Sequence, residues 1–445
     1  MTQENSFGLF EAFGIELEYM IVDAETLDVR PISDQALTTA AGELTGEVEL
    51  GSISWSNELA LHVLELKVSE PVNDLAQVTL DFQQSIAYAN AILGKFGARL
   101  MPTAMHPWMN PDREMKLWPH DYSPVYEAFN RIFNCRGHGW ANLQSTHWNL
   151  PFRDEQEFAK LHAAIRLILP LLPGIAASSP IHDGRVQGPL DCRLEVYRRN
   201  SAKIPSITGQ VVPEAVYTEA DYEREIYQRM YRDIAPEDPD GTLQHIWLNA
   251  RGAIARFDRG AIEIRVLDIQ ECPQADIAIG SLVIATLQAL CGEQWTSFDE
   301  QSIAPTEQLA ALLRSTILTG PATIVPSAIA NHFGASASIL TVGQLWQDLL
   351  TRLQPTTALL SPEIVNNLNT ILSHGTLSQR ILANLDGDIS RTQLLRTYGD
   401  LSQCLQQGEL FSPAEVGHDS ARVTLGGSHL PDATLARKAE QYEPE

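Results

Sequence analysis

The sequence predicts an α+β protein: a mainly antiparallel sheet, helices on its outer face, and a helical last third. Three observations carry this. Short β-type runs occur early and are separated by long helical ones. Each of these runs offers polar side chains on one face only, as in a sheet covered on its other side. From about Thr306 onward the apolar spacing is helical almost throughout.

In order, GIELEYMIV (residues 14–22) reads as a strand with Glu16 and Glu18 sharing one face and Ile15 and Leu17 the other. ALHVLELKV (60–68) is a second strand, interrupted by Glu65. DLAQVTLDFQQSIAYANAILGKFG has helical spacing and ends at Gly97, a C-cap. ARLMPTAMHPW supplies a short strand and turn, and WANLQSTHWNLPF (140–152) a strand stopped by Pro151. The helix opened by DEQEF has an acidic first turn and is kinked or ended by Pro170 and Pro173. Residues 181–213, rich in Arg, Gly and Pro, read as one long functional loop. Two strands are expected near 245–250 and 260–269, then a helix in ADIAIGSLVIATLQALCGEQ. Beyond Phe411 the polar pattern predicts an extended or disordered tail.

The 445 residues can fill one large or two ordinary domains. A formal net charge of −25 argues against nucleic acid or an anionic membrane as the main partner and leaves small molecules. Five scattered cysteines without a CxxC pair favour a reducing compartment over a disulfide framework. The start MTQENSFGLF lacks the features of a secretory signal, and no apolar run reads as a bilayer span, so a cytoplasmic location is expected. No P-loop, dinucleotide fingerprint, GxSxG or HExxH is present. A bound nucleotide would then need metal and arginine to hold its phosphates.

The strand carboxylates are the informative feature. Two like charges side by side on a half-buried face repel one another, and burial increases the cost. Glu65 shares a face with Lys67, Ser145 with His147 and Asn149, and Glu263 with Arg265. Each alone is ordinary: a solvated glutamate, a hydrogen-bonded histidine, an ion pair. Together, Glu16, Glu18, Glu65, Glu263 and His147 offer hard oxygens and one imidazole, a set suited to Mg²⁺ or Mn²⁺ rather than zinc. Arg193 and Arg198 in CRLEVYRRN, with Arg251 and Arg256 in NARGAIARFD, are candidate clamps for phosphate or carboxylate.

FGIELEYMIVD, VLELKVSEP, MHPW, LQSTHWNLP, AASSP, CRLEVYRRN and GAIEIRVLD occur in the order and spacing of the bacterial type-2 glutamate–cysteine ligases, and the chain resembles that family, which includes the YbdK-like carboxylate–amine ligases. The resemblance implies a glutamine-synthetase-like fold whose curved sheet holds divalent metal, ATP and an amino acid. It implies a catalytic domain over 1–295, a helical region over 296–411 and a tail over 412–445. By position it implies metal ligands at Glu16, Glu18, Glu65, His147 and Glu263. It also implies catalytic roles for Arg265 and Arg198, and substrate or ATP contacts from Arg193, Arg198, Asn200, Arg251, Arg265 and His106. The implied reaction joins the γ-carboxylate of glutamate to an amine through an acyl phosphate, in glutathione biosynthesis. A ligase of this fold with another acid or amine, and a non-catalytic nucleotide- or amino-acid-binding regulator, are the alternatives. A homo-oligomer is left open. Ser145 stands where the family strand has its first histidine, and Asn149 where it has glycine; Glu58 or His62 could supply a lost contact.

Overall fold

The computed structural model describes residues 7–335 and 340–412. Its strands, in chain order, are β1 (Gly14–Asp23), β2 (Glu47–Leu50), β3 (Ile53–Asn57), β4 (Val63–Val68), β5 (Ala98–Met101), β6 (Ser145–Pro151), β7 (Ile181–His182), β8 (Arg185–Val186), β9 (Ala253–Arg256) and β10 (Ala261–Asp268). Eight of them form one sheet, ordered β2-β3-β4-β1-β6-β10-β9 with β5 also paired to β1, while β7 and β8 make a separate hairpin. Every pairing in the large sheet is antiparallel. The α+β expectation is therefore met, with the helical last third following the sheet.

The alternation read from the sequence sets the two faces. Ile15, Leu17, Leu64, Leu66, Trp148, Ile262 and Ile264 are buried in the main core. The long helices Leu75–Leu93, Glu155–Ile168 and Pro273–Cys291 contribute to that same core. Burial of this apolar surface is what holds sheet and helices together, at roughly 25 cal/mol per Å². Gly280 shows how tightly they meet: a Cβ there would lie 2.0 Å from the indole of Trp148. Asp74 caps the first long helix, accepting from the N–H groups of Ala76 and Gln77. It closes through a 3₁₀ turn, and Gly97 takes the left-handed conformation (φ 65°) that the cap predicted.

Later helices pack back onto these. Pro362–His374 contacts Pro273–Cys291, and Arg391–Gln407 contacts Leu75–Leu93 and β5. The described residues belong to one compact unit. The expected tail beyond Phe411 lies almost wholly outside the described residues.

Four local expectations are corrected. Residues 138–141 form a helical turn, so the third acidic-face strand begins at Ser145 rather than at Trp140. Residues 246–248 form a 3₁₀ turn rather than a strand. There the Asn249 amide donates to Tyr222 Oη (3.0 Å), and its oxygen accepts from the Arg251 N–H (3.2 Å), wiring the backbone out of strand geometry. The 181–213 stretch is not one loop: it holds the β7–β8 hairpin and a helix, Cys192–Tyr197, capped by Asp191 accepting from the Leu194 N–H at 2.8 Å. Finally, helix Pro273–Cys291 is long and apolar enough to cross a bilayer, with mean hydropathy 1.5, but 89% of that window is buried inside the protein. Its composition is that of a core helix.

Candidate active site

The register brings the carboxylates together. Strands β4, β1, β6 and β10 lie side by side. Glu18 sits opposite Glu65 across the β1–β4 pair, Glu16 opposite His147 across β1–β6, and Glu263 opposite Asn149 across β6–β10. Directly opposed residues on an antiparallel pair point to the same face, about 5 Å apart. The even-numbered residues of β1 and the odd-numbered ones of β4, β6 and β10 therefore build one polar floor. A bulge in β10 between Ile264 and Leu267 re-aims Arg265, whose N–H bonds Gly252 O (3.0 Å) rather than the β6 ladder.

Hydrogen bonds fix the charge state of the floor. His147 Nδ1 donates to Glu16 Oε2 (2.8 Å). Its Nε2 lies 2.8 Å from Ser145 Oγ, and that hydroxyl gives its single proton to Glu18 Oε2 (2.8 Å), which also accepts the Ser145 N–H at 2.7 Å. Both ring nitrogens are then donors, and the ring is an imidazolium. Burial opposes that charge, but Glu18, Glu16 and Glu263 outweigh it and raise the His147 pKa to about 9. Burial likewise opposes ionisation of Glu16; its hydrogen bond to His147 and the charge of that ring prevail and lower it to about 2. Glu65 has weaker compensation. Burial, and then the charge of Glu16, push it up to about 7 despite Lys67 at 3.6 Å and the Ser56 hydroxyl at 2.6 Å. Arg265 grips Glu263 Oε1 through Nε (2.9 Å) and Nη2 (2.6 Å).

Two sets of ligand atoms on this floor lie within 4.8 Å of one another: Glu16, His147 and Glu263, and Glu18, Glu65 and His147; a third set among the described residues, His138, His182 and Asp183, lies elsewhere. Carboxylates held this close disfavour one another unless a cation lies between them. Hard oxygens with one shared imidazole could hold Mg²⁺ or Mn²⁺, and His147 would release a proton to become a ligand. The donor set fits the ion expected from the sequence.

The floor opens into a cavity of about 540 Å³. Glu18, Ser145 and His147 line its base, and Arg193 and Arg265 lie at the β10 side. Glu58 and the aromatic residues Tyr126, Phe129, Trp140 and Trp247 close it elsewhere.

The arginines divide. Arg193 is 2% exposed and lines the cavity, its Nη1 on Asp268 Oδ1 (3.4 Å) and its Nη2 on Arg265 O (2.7 Å). Asn200 lines it too, with its amide donating to Gly139 O at 3.0 Å. Arg198 does not line it: its guanidinium is held in a fork by Glu195 at 2.7 Å twice. Arg251 is fully buried away from the cavity, bound to both oxygens of Glu214 and to Asn249 Oδ1. Arg256 pairs with Asp258 (3.0 Å). His106 is a turn-former, with Nε2 on Leu27 O (2.7 Å) and Nδ1 accepting from the Trp108 N–H (3.2 Å). His62 bonds Ala141 O (2.7 Å), so of the two substitutes for the lost histidine only Glu58 reaches the cavity. Burial, then Glu18 and Glu65, raise the Glu58 pKa.

Sequence reasoning missed the aromatic roof and Asp268. Tyr126 and Phe129 lie on helix Ser123–Phe133 three residues apart, a spacing indistinguishable from a core-facing stripe. Asp268 closes the β10 run and accepts from the Ser178 N–H and the Ser179 hydroxyl, both at 2.8 Å, as well as from Arg193.

With this geometry in view, comparisons with known proteins agree. The family model described as glutamate–cysteine ligase family 2 matches residues 12–396. An uncharacterized protein of Archaeoglobus fulgidus is 30% identical over 398 residues, 89% of this chain and 99% of that protein. A Bradyrhizobium protein provisionally named glutamate–cysteine ligase 2 is 26% identical over 63% of this chain; the match spans 62% of its own length. Among solved structures, a glutamate–cysteine ligase of Francisella tularensis in complex with AMP superposes with a TM-score of 0.58 at 13% identity, over 90% of each chain. A bifunctional glutathione synthetase of Pasteurella multocida gives 0.52 at 12% identity, over 90% of this chain and 52% of that one. The family match places the chain in the class of carboxylate–amine ligases. Within that class, the chain belongs to glutamate–cysteine ligase family 2.

Proposed function

We propose that the chain is an ATP- and divalent-metal-dependent ligase that activates a carboxylate, that of glutamate or a similar acid, as an acyl phosphate and joins it to an amine. One observation carries this reading: two overlapping three-ligand sets share His147 across four adjacent strands. The AMP in the Francisella ligase supports a nucleotide in the same fold.

Glu16, Glu18, Glu65, His147 and Glu263 would hold Mg²⁺ or Mn²⁺. When bound, the ion supplies positive charge to the phosphate oxygens during transfer. The chain's own residues do the rest. Arg193 and Arg265 present guanidinium groups to the acid and to the transferring phosphoryl group. A carboxylate oxygen attacks the γ-phosphorus, the bond to ADP breaks, and its electron pair leaves with ADP. The amine nitrogen then forms a bond to the acyl carbon, the carbon–oxygen bond to phosphate breaks, and phosphate leaves carrying an amine proton. The aromatic roof keeps water from the acyl phosphate.

Glu16→Gln is the direct test. Metal-dependent ADP release should fall by about a thousandfold or more, as expected when an electrostatic element of phosphoryl transfer is lost. Full metal-dependent turnover in that variant would end the assignment.

A further inference from the structure

The cavity carries opposite charge at its two ends. At the β10 end stand Arg193 and Arg265, which are the arginines among the described residues lining it; no lysine lines it. At the other end, just beyond β3, stands Glu58. No salt bridge pairs Glu58 with a cation among the described residues, and its carboxylate accepts only a long bond from the Leu59 N–H (3.4 Å). Tyr126 rises beside it, its hydroxyl accepting from the Asn57 side-chain amide (3.1 Å) next to Glu58 in the chain. Phe129 continues the wall, 5.3 Å from the Trp140 ring and 5.8 Å from that of Trp247.

The two ends ask for different ligands. The arginine end suits the carboxylates of the acid. The Glu58 end suits an ammonium, which both a carboxylate and aromatic faces attract. A carboxylate on the acceptor would meet the like charge of Glu58 there, which pairs with no arginine or lysine among the described residues. The wall of Tyr126, Phe129, Trp140 and Trp247 offers such an amine an apolar surface. We propose that the Glu58 end binds the acceptor amine, and that this acceptor is an aromatic or bulky apolar amine without a carboxylate. The inference rests on the ligase reading above and names the substrate class for it.

Four probes separate the two features: cysteine, cysteamine, phenylalanine and 2-phenylethylamine, each with ATP, Mg²⁺ and glutamate. ADP release and product mass are measured for each. The expected order puts 2-phenylethylamine at least tenfold above phenylalanine, which differs by the carboxylate, and at least tenfold above cysteamine, which differs by the ring. Glu58→Gln should raise the KM for 2-phenylethylamine at least tenfold, more than it raises the KM for the acid. A smaller preference, or any preference for an amino acid, overturns the inference. Hydroxylamine in place of the amine tests the ligase reading separately, because it traps an acyl phosphate as a hydroxamate whatever the acceptor. Hydroxamate formed together with a preference for cysteine sinks the acceptor assignment alone. No hydroxamate, and no product with any probe, sinks the ligase reading and this inference together.

Discussion

Two regions of the molecule bury several charged groups, and they treat them differently. Around Arg251, one guanidinium meets the carboxylate of Glu214, the carbonyls of Ser206 and Ile207 and the amide oxygen of Asn249. One positive charge is matched by one negative charge, and the remaining donors find neutral acceptors. On the polar floor, Glu16, Glu18, Glu65 and Glu263 face His147, Lys67 and Arg265. The negative charges outnumber the positive ones. A balanced cluster is a structural device, whereas an unbalanced one is tuned for a cation that arrives later. Arg251 therefore marks the limit of reading buried arginines as substrate contacts.

The contrast can be broken from either side. Arg251→Met leaves Glu214 without its cation and the oxygens of Ser206, Ile207 and Asn249 without their donor, so it should cost about 3 kcal/mol of stability. Urea denaturation measures this. A loss below about 1 kcal/mol would mean that the nest is not structural after all. The floor should respond with the opposite sign. Glu65→Gln removes a carboxylate whose folded-state pKa is about 7, against an ordinary 4.5, so at pH 8 the native state no longer holds an unfavourable charge. The sign follows from linkage: between pH 4.5 and 7 the native chain keeps a proton that the unfolded chain has lost, and the wild type loses stability as pH rises through that window. Without metal, E65Q should be more stable than the wild type at pH 8 by about 2 kcal/mol, and it should gain less stability when Mg²⁺ is added. Equal or lower stability would show that the floor is already compensated by its own side chains.

This contrast also explains what could be read from the sequence. Period-two alternation made Glu16, Glu18, Glu65, His147 and Glu263 visible, since polar side chains on one face of several apolar runs are ordinary singly and informative together. Their common face was legible. Their register was not, because nothing in GIELEYMIV says that Glu18 will face Glu65 rather than Lys67. Arginine was the weak point. Arg198 and Arg251 look alike in the sequence to Arg193, and only their partners, Glu195 three residues away and Glu214 thirty-seven away, separate them. Ser145 looked like a missing histidine, yet its hydroxyl and N–H hold Glu18 to His147. The 245–250 segment failed for another reason. Its apolar alternation fits a strand, and the side-chain bonds of Asn249 override it.

The smallest expected effect near neutral pH concerns charge that the interior refuses altogether. His162, on helix Glu155–Ile168, is fully buried among the rings of Phe158 (5.3 Å), Tyr217 (5.9 Å) and Tyr222 (5.9 Å). Burial, and then the positive charge of Arg166, lower its pKa to about 3 from an ordinary 6.5. The native ring stays neutral where the unfolded ring takes up a proton. Stability is therefore fully present above pH 6.5 and is lost as pH falls from there toward 3, by about 1.4 kcal/mol per pH unit for one such group. His62 and His106, lowered to about 4 and about 3 chiefly by burial, act in the same direction. His162→Phe keeps an aromatic ring of similar size and removes one titration. Denaturation midpoints at pH 7, 6 and 5 should then fall less steeply in H162F than in the wild type, the two curves diverging only below about pH 6.5. Parallel curves across that range would show that the nest admits the charged ring, and that the interior tolerates unpaired charge here as it does not around Arg251.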